Sequence, residues 1–176
     1  KYSIFRNTEL AASIAKGYSP PSSSEVLPSN SIINTQLYAE TGLNYEVELN
    51  TSLFKIKDGF SRLELNGYIQ ESKNTIVQRR DASNADYYVN AGSTLQKGIE
   101  GSFTILKEIK QKHQIDLLAN INYTDYQFKD YKILDQDYSQ NRMPGNMRWN
   151  TFVQLGFKFA QWGKGIISHS YNDKMY

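Results

Sequence analysis

An alternation of period two returns along most of this chain, and it confines the fold to β-strands with two unlike faces. Residues 44 to 53 read NYEVELNTSL: Tyr45, Val47, Leu49, Thr51 and Leu53 share one face, and Glu46, Glu48, Asn50 and Ser52 the other. The same pattern sets Leu63, Leu65, Gly67 and Ile69 against Arg62, Glu64, Asn66, Tyr68 and Gln70. It recurs over 98 to 105, 115 to 124 and 148 to 159, and more weakly over 8 to 16 through Leu10, Ala12 and Ile14. A last segment from about Lys164 onwards completes a reading of about seven strands. Helical periodicity is almost absent, so nothing is expected to cover the sheet with helices.

The connections alternate as well. Residues 18 to 41, 72 to 86 and 127 to 146 read as long polar links, the first with Pro20, Pro21 and Pro28, the third with Pro144 and Gly145. Short turns are expected at Lys57–Asp58–Gly59, near Lys110–Gln111–Lys112, and at Gln161 to Gly163. Long alternating with short describes an antiparallel meander with one elaborated rim and one trimmed rim.

Composition narrows the function classes. Aromatics reach 13 %, with 13 Tyr and 8 Phe, which a disordered chain of mean hydropathy −0.60 would not carry. No run approaches the ~18 apolar residues of a membrane helix. The absence of Cys removes disulfide scaffolds, Cys-ligated zinc, thiol catalysis and iron–sulfur sites. A net charge of +2 gives no argument for nucleic acid. The chain starts at Lys1, so targeting is not readable from it, and the start is compatible with a fragment of something longer.

Two architectures satisfy the alternation. In a soluble β-sandwich, a binding or adhesion module, two apolar faces meet and the polar faces see water. In a membrane barrel the apolar face meets lipid and the polar face lines the lumen. Three details favour the barrel. Most alternating runs last about 9 to 11 residues, the length of a tilted bilayer-crossing strand, against a usual soluble strand of about 5 or 6. The polar faces repeatedly carry large charged groups: Glu46, Glu48, Arg62, Glu64, Glu100, Asp116, Arg148 and Lys158. Aromatics fall at both ends of the apolar face, with Tyr45, Tyr123 and Trp149 toward the long-loop rim and Phe103, Phe157, Phe159 and Trp162 toward the short-turn rim. Lys97 shares the parity of the apolar face; with the membrane band starting at Ile99 it is expected to snorkel at the interface, and full burial would count against the barrel.

Several segments resemble TonB-dependent outer-membrane receptors. They are Ala15-Lys16-Gly17-Tyr18-Ser19-Pro20-Pro21 with Ser24-Glu25-Val26, Asn34-Thr35-Gln36-Leu37 leading to Glu40-Thr41-Gly42 and Asn44-Tyr45-Glu46, Tyr88-Val89-Asn90-Ala91-Gly92 through Lys97-Gly98-Ile99-Glu100, and Asn141-Arg142-Met143-Pro144-Gly145-Asn146. Their order also resembles the family's, and its siderophore-receptor branch in particular. The resemblance implies an all-β antiparallel meander forming part of a large transmembrane β-barrel of about 22 strands with a plugged lumen. No plug domain, TonB box or terminal strand ending in Phe or Trp is recognised, so 1–176 is expected to be an internal piece from the C-terminal half of a barrel. Partners implied are the remaining strands and plug of the parent receptor, the TonB energy-coupling complex, a small-molecule metal chelate and outer-membrane lipid. The implied activity is active import of a scarce solute, a ferric siderophore, across the bacterial outer membrane, with no cofactor and no covalent chemistry. Long links are then extracellular and short turns periplasmic.

Arg79, Arg80, Tyr87 and Tyr88 lie on or beside the second long link and form a candidate ligand patch, Arg giving charge-assisted hydrogen bonds and Tyr stacking; the competing reading is a solvated loop with an Arg–Asp pair. Glu46, Glu48, Arg62, Glu64, Glu100 and Arg148 are expected to face the lumen. His113 and His169 have no His or Cys at metal-ligand spacing. Asp130, Asp135 and Asp137 in the third link lack a calcium-loop glycine and read as solvated. No serine-hydrolase elbow or phosphate-binding glycine loop occurs.

Overall fold

The structure is a computed structural model that describes residues 2–5, 7–29, 32–90, 92–109, 112–133 and 136–175. The expected turn residues Lys110 and Gln111, together with Ala91 and Asp135, lie outside the described residues. In chain order the elements are β1 (Tyr2–Phe5), β2 (Thr8–Ser19), α1 (Ser23–Val26), β3 (Glu40–Thr51), β4 (Gly59–Lys73), β5 (Ile76–Arg80), β6 (Asp86–Asn90), β7 (Ser93–Ile109), β8 (His113–Asp130), β9 (Lys132–Ile133), β10 (Gln136–Asp137), β11 (Trp149–Phe159) and β12 (Gly163–Asn172). Eight of these strands form one antiparallel sheet in the order β1-β2-β3-β4-β7-β8-β11-β12. Apart from the four-residue edge strand β1, its members are the seven alternating segments of the sequence, joined as a meander.

The central strands are longer than the alternation. β4, β7 and β8 run for 15, 17 and 18 residues, where alternation covered 62 to 70, 98 to 105 and 115 to 124. Backbone pairing continues past the apolar band through Ser93–Lys97 against Asp125–Asp130. Hydrogen bonding in a ladder does not depend on side-chain polarity, so polar residues end the pattern without ending the strand. The second long link also differs from expectation. Within it β5 and β6 pair as a hairpin, Arg79 opposite Tyr87 and Arg80 opposite Asp86. Its turn is closed by Asp81, whose Oδ1 accepts from Ser83 N, Ser83 Oγ and Ala85 N, and by Asn84 at φ 63°. α1 is a single turn in the first link, where the Glu25 carboxylate reaches back to the Ser22 N–H.

The register sorts most side chains along the middle of the sheet, with Leu118 and Phe152 on the polar face and His169 on the apolar face as exceptions. Val47, Gly67, Ile99, Tyr123 and Trp149 form one cross-strand row on the apolar face; Leu49, Leu65, Gly101, Ile121 and Thr151 form the next. Tyr123 and Trp149 stand directly opposite, ring centroids 4.6 Å apart, a pairing worth about 0.5–1.5 kcal/mol beyond its area. At the other rim Phe54 meets Phe103 edge-on at 6.4 Å and His113 meets Phe159 at 6.2 Å, while Trp162 in the last turn is 85 % exposed.

A sandwich requires a second sheet over this face. Among the described residues the other two sheets are two-stranded ladders in the long links, β5–β6 and β9–β10. Val47, Ile99, Ile121 and Val153 accordingly remain exposed. Lys97 is not buried: its side chain is 48 % exposed, and its ammonium lies 3.3 Å from Asp125, one strand away on the same face.

Candidate functional site

The polar face presents a continuous row across six strands: Glu48, Asn66, Glu100, Asn122, Asn150 and Asn172. One step toward the long links lie Glu46, Tyr68, Gly98 and Thr124; one step away lie Asn50, Glu64, Ser102 and Asn120. Five of the expected lining residues, Glu46, Glu48, Arg62, Glu64 and Glu100, thus occupy polar-face positions. Arg148 precedes β11 at the same parity, its carbonyl accepting from Thr124 N at 2.9 Å.

Most of these charges are not consumed internally. Arg62 approaches Glu64 at 3.7 Å with both side chains well exposed, a pair of little energetic weight. Glu46 accepts from Asn44 Nδ2 at 2.8 Å. Glu48 and Glu100 have no cationic partner within 4.0 Å among the described residues. The Oδ1 atoms of Asn66 and Asn122 are screened from the surface without a hydrogen-bond donor among the described residues. A wall dense in acceptors suits contact with water, polar solute or donor-bearing protein, and gives no nucleophile–base pair.

Two glycines let polar side chains cross between strands. Tyr68 lies over Gly98 and reaches Tyr126, hydroxyl to hydroxyl at 2.6 Å; a Cβ at Gly98 would stand 2.6 Å from the Tyr68 hydroxyl and 2.7 Å from the Tyr123 carbonyl. Asp116 lies over Gly156 in the same way and approaches Lys164 on β12 at 3.8 Å.

At the long-link end the loops are tied together. The β6 edge is followed by the first link: Ser29 bonds the Asp86 backbone, Asn34 Nδ2 donates to the Tyr88 carbonyl at 2.8 Å, and the Asn90 amide bonds both N and O of Tyr38. From β5, Arg79 Nη2 donates to the Lys132 carbonyl at 2.8 Å, joining the hairpin to the third link. That link folds back on β8 through Asn141 and Met143, whose backbones bond Phe128 and Tyr126.

The four candidate ligand residues all lie on the hairpin, but pairing divides them. Arg79 and Tyr87 face each other on one side; Arg80 shares the other side with Asp86 and Tyr88. Arg80 is engaged by Asp86 at 3.2 Å and Asn84 at 3.4 Å, whereas Arg79 is half-buried with its Nε meeting no acceptor among the described residues. Asp137 lies 3.9 Å from Lys132, and its hydrogen bonds from Ser139 hold its carboxyl below the ordinary carboxylate range. His113 packs against Phe159, and His169 is exposed on β12 opposite Val153. Sequence reading missed the aromatic cluster of the third link, in which Tyr131 stacks on Phe128 at 4.4 Å and meets Tyr138 at 6.0 Å. Those residues stand 3 and 7 apart in a polar segment with no helix among its described residues, so only the folded link brings them together.

The model of the family described as TonB dependent receptor-like, beta-barrel matches residues 1–176, the whole chain. No curated protein matches the chain. The matched family are transporters rather than enzymes, characteristic of the bacterial outer membrane, and its complete receptors add a plug domain and engage TonB. An apolar face uncovered among the described residues, a polar opposite face, aromatic rims and long links on one side are what such a barrel wall requires, and this chain belongs to the TonB-dependent receptor-like β-barrel family.

Proposed function

We propose that residues 1–176 are a wall segment of an importer in the bacterial outer membrane, completed by the remaining barrel strands and plug of the parent receptor and driven by the TonB energy-coupling complex. The observation that carries this reading is the single sheet whose apolar face has no protein cover among the described residues while its other face is a polar lining. In that setting the long links are extracellular and Glu46, Glu48, Arg62, Glu64, Glu100 and Arg148 line the lumen.

The solute we propose is an anionic metal chelate, a ferric siderophore. Support comes from the hairpin raised beyond the apolar band. Arg79 sets a guanidinium beside Tyr87, with the aromatic cluster of Phe128, Tyr131 and Tyr138 on the neighbouring link. Guanidinium hydrogen bonds and aromatic faces together suit a charged, ring-bearing chelate. Arg80 and Tyr88 on the opposite face serve the same ligand only if it wraps the hairpin.

The test is uptake of radio-iron chelate by cells carrying the parent receptor, with and without functional TonB. TonB-dependent uptake that falls at least tenfold in Arg79→Ala/Tyr87→Ala, an affinity loss of about 1.4 kcal/mol, is expected. TonB-dependent uptake of a different solute class, with iron chelates excluded, would overturn the siderophore assignment and leave the transport reading standing.

A further inference from the structure

The apolar face changes character at one level of the sheet. Ile14, Tyr45 and Ile69 form a cross-strand row; one step toward the long links the row is Lys16, Leu43, Glu71 and Leu95, and one step further Lys73 stands opposite Thr41. Lys97 and Lys129 lie on the same face of β7 and β8. Four lysines therefore meet two carboxylates just above the aromatic rim. Lys97 is held by Asp125, and Lys129 by Glu71 at 3.0 Å. Lys16 and Lys73 have no acidic partner within 4.0 Å among the described residues, and both are exposed.

These two lysines flank β3. Strand spacing and rise put their Cα atoms about 12 Å apart, a gap that two flexible four-carbon stems close around one phosphate. Between them Leu43 leads down β3 to Tyr45 and Val47. There the face is indented by an open groove of about 430 Å³ whose lining includes Tyr45, Val47, Gly67, Ile69, Ile99 and Tyr123, with the Asp125-paired Lys97 at its edge. Gly67 makes its floor, since a Cβ there would meet nothing within 4 Å.

We propose that this is a seat for one anionic lipid of the leaflet on the long-link side. Its phosphate lies between Lys16 and Lys73, and one acyl chain runs down the β3–β4 seam over Gly67. The inference rests on the membrane reading above. It departs from a generic lipid-facing wall in two ways: of the four lysines on the long-link side of this face, the two without an acidic partner among the described residues stand at the head of this groove, and the groove is as deep as a missing side chain. A zwitterionic head group would bring its own cation against the same two lysines.

The test uses the parent receptor in nanodiscs of phosphatidylcholine containing a minority of phosphatidylglycerol with identical acyl chains. Lipid retained on the protein after transfer to detergent is identified by native mass spectrometry. Phosphatidylglycerol is expected to be enriched about fivefold for each of the two lysines, the equivalent of one surface lysine near an anionic head group. Lys16→Gln/Lys73→Gln is expected to abolish the enrichment. Gly67→Leu, which fills the groove without meeting another atom at Cβ, is expected to reduce retention while the barrel keeps its resistance to denaturation. Equal retention of the two lipids, or enrichment that survives both variants, would overturn the seat. A receptor that inserts into the bilayer without lipid preference sinks this inference alone; one that does not insert sinks the transport reading with it.

Discussion

The two faces of this sheet treat missing side chains in opposite ways. On the polar face, Gly98 and Gly156 are overlain by Tyr68 and Asp116, which use the bare backbone to reach partners on β8 and β12. On the apolar face, a Cβ at Gly67 or Gly165 would meet nothing within 4 Å, and one at Gly101 would first meet methyls of Ile121 and Leu65. The polar face uses its glycines for contacts between neighbouring strands and leaves groups such as Glu48 and Glu100 for water or solute. The apolar face leaves its contacts open and requires a solvent that is neither water nor protein of this chain. A fold with this asymmetry is stable only where the two environments differ.

The largest effect expected from breaking the asymmetry is a charge moved between faces. Val153→Arg, at the middle of β11 and 42 % exposed, should lower stability in vesicles by about 2–4 kcal/mol, while Gln154→Arg on the other face should change it by less than about 1 kcal/mol. Urea unfolding of the reconstituted receptor distinguishes them, and equal costs would remove the difference between the faces.

Next come the glycines. Gly98→Ala should cost about 1–3 kcal/mol, because its Cβ meets the Tyr123 backbone carbonyl as well as Tyr68. Gly67→Ala should be neutral or gain up to about 1 kcal/mol by restricting the unfolded chain. The pair is best measured side by side in the same unfolding assay. Tyr68→Phe, which removes only the hydroxyl contact to Tyr126, is expected to cost about 0.5–1.5 kcal/mol. A fully neutral result would mean that water replaces that contact on the polar face.

The smallest effect belongs to the exposed hairpin turn. The hydrogen bonds from Ser83 and then from the Ala85 backbone hold the Asp81 carboxyl below the ordinary carboxylate range. A depressed folded-state value means that the ionised form stabilises the turn above that range and that the contribution fades as pH falls through the depressed value. Amide exchange at Ala85, corrected for its intrinsic acid dependence, should therefore lose protection only in strong acid, and Asp81→Asn should show reduced protection at every pH.

How much of this was legible in the sequence depends on what fixes each element. The seven long strands were, because a strand with one lipid-like and one polar side must alternate. The extensions of β4, β7 and β8 were not: Glu71, Lys97, Asp125 and Lys129 end the apolar pattern although the ladder continues. The β5–β6 hairpin carried a readable signal in Asp81, Ser83 and Asn84 between β-formers, and so did α1 in Ser22 and Glu25 at capping-box spacing. The polar-face positions of Glu46, Glu48, Glu64 and Glu100 were legible by parity. The division of Arg79 from Arg80 was not, since it depends on hairpin register, and the meeting of Asn90 with Tyr38 depends on how two links lie against each other.

The central claim is that one face of this sheet meets lipid and the other meets water. The chain contains no cysteine, so in a receptor whose remaining segments carry no reactive thiol, single spin labels can be placed from Trp149 to Phe159 in vesicles and read against molecular oxygen and a water-soluble nickel chelate. The account predicts oxygen accessibility maximal at 151, 153, 155 and 157, and nickel accessibility maximal at 150, 152, 154 and 156. Accessibility to nickel at Val153 equal to that at Gln154, or no period of two in either reagent, would contradict it.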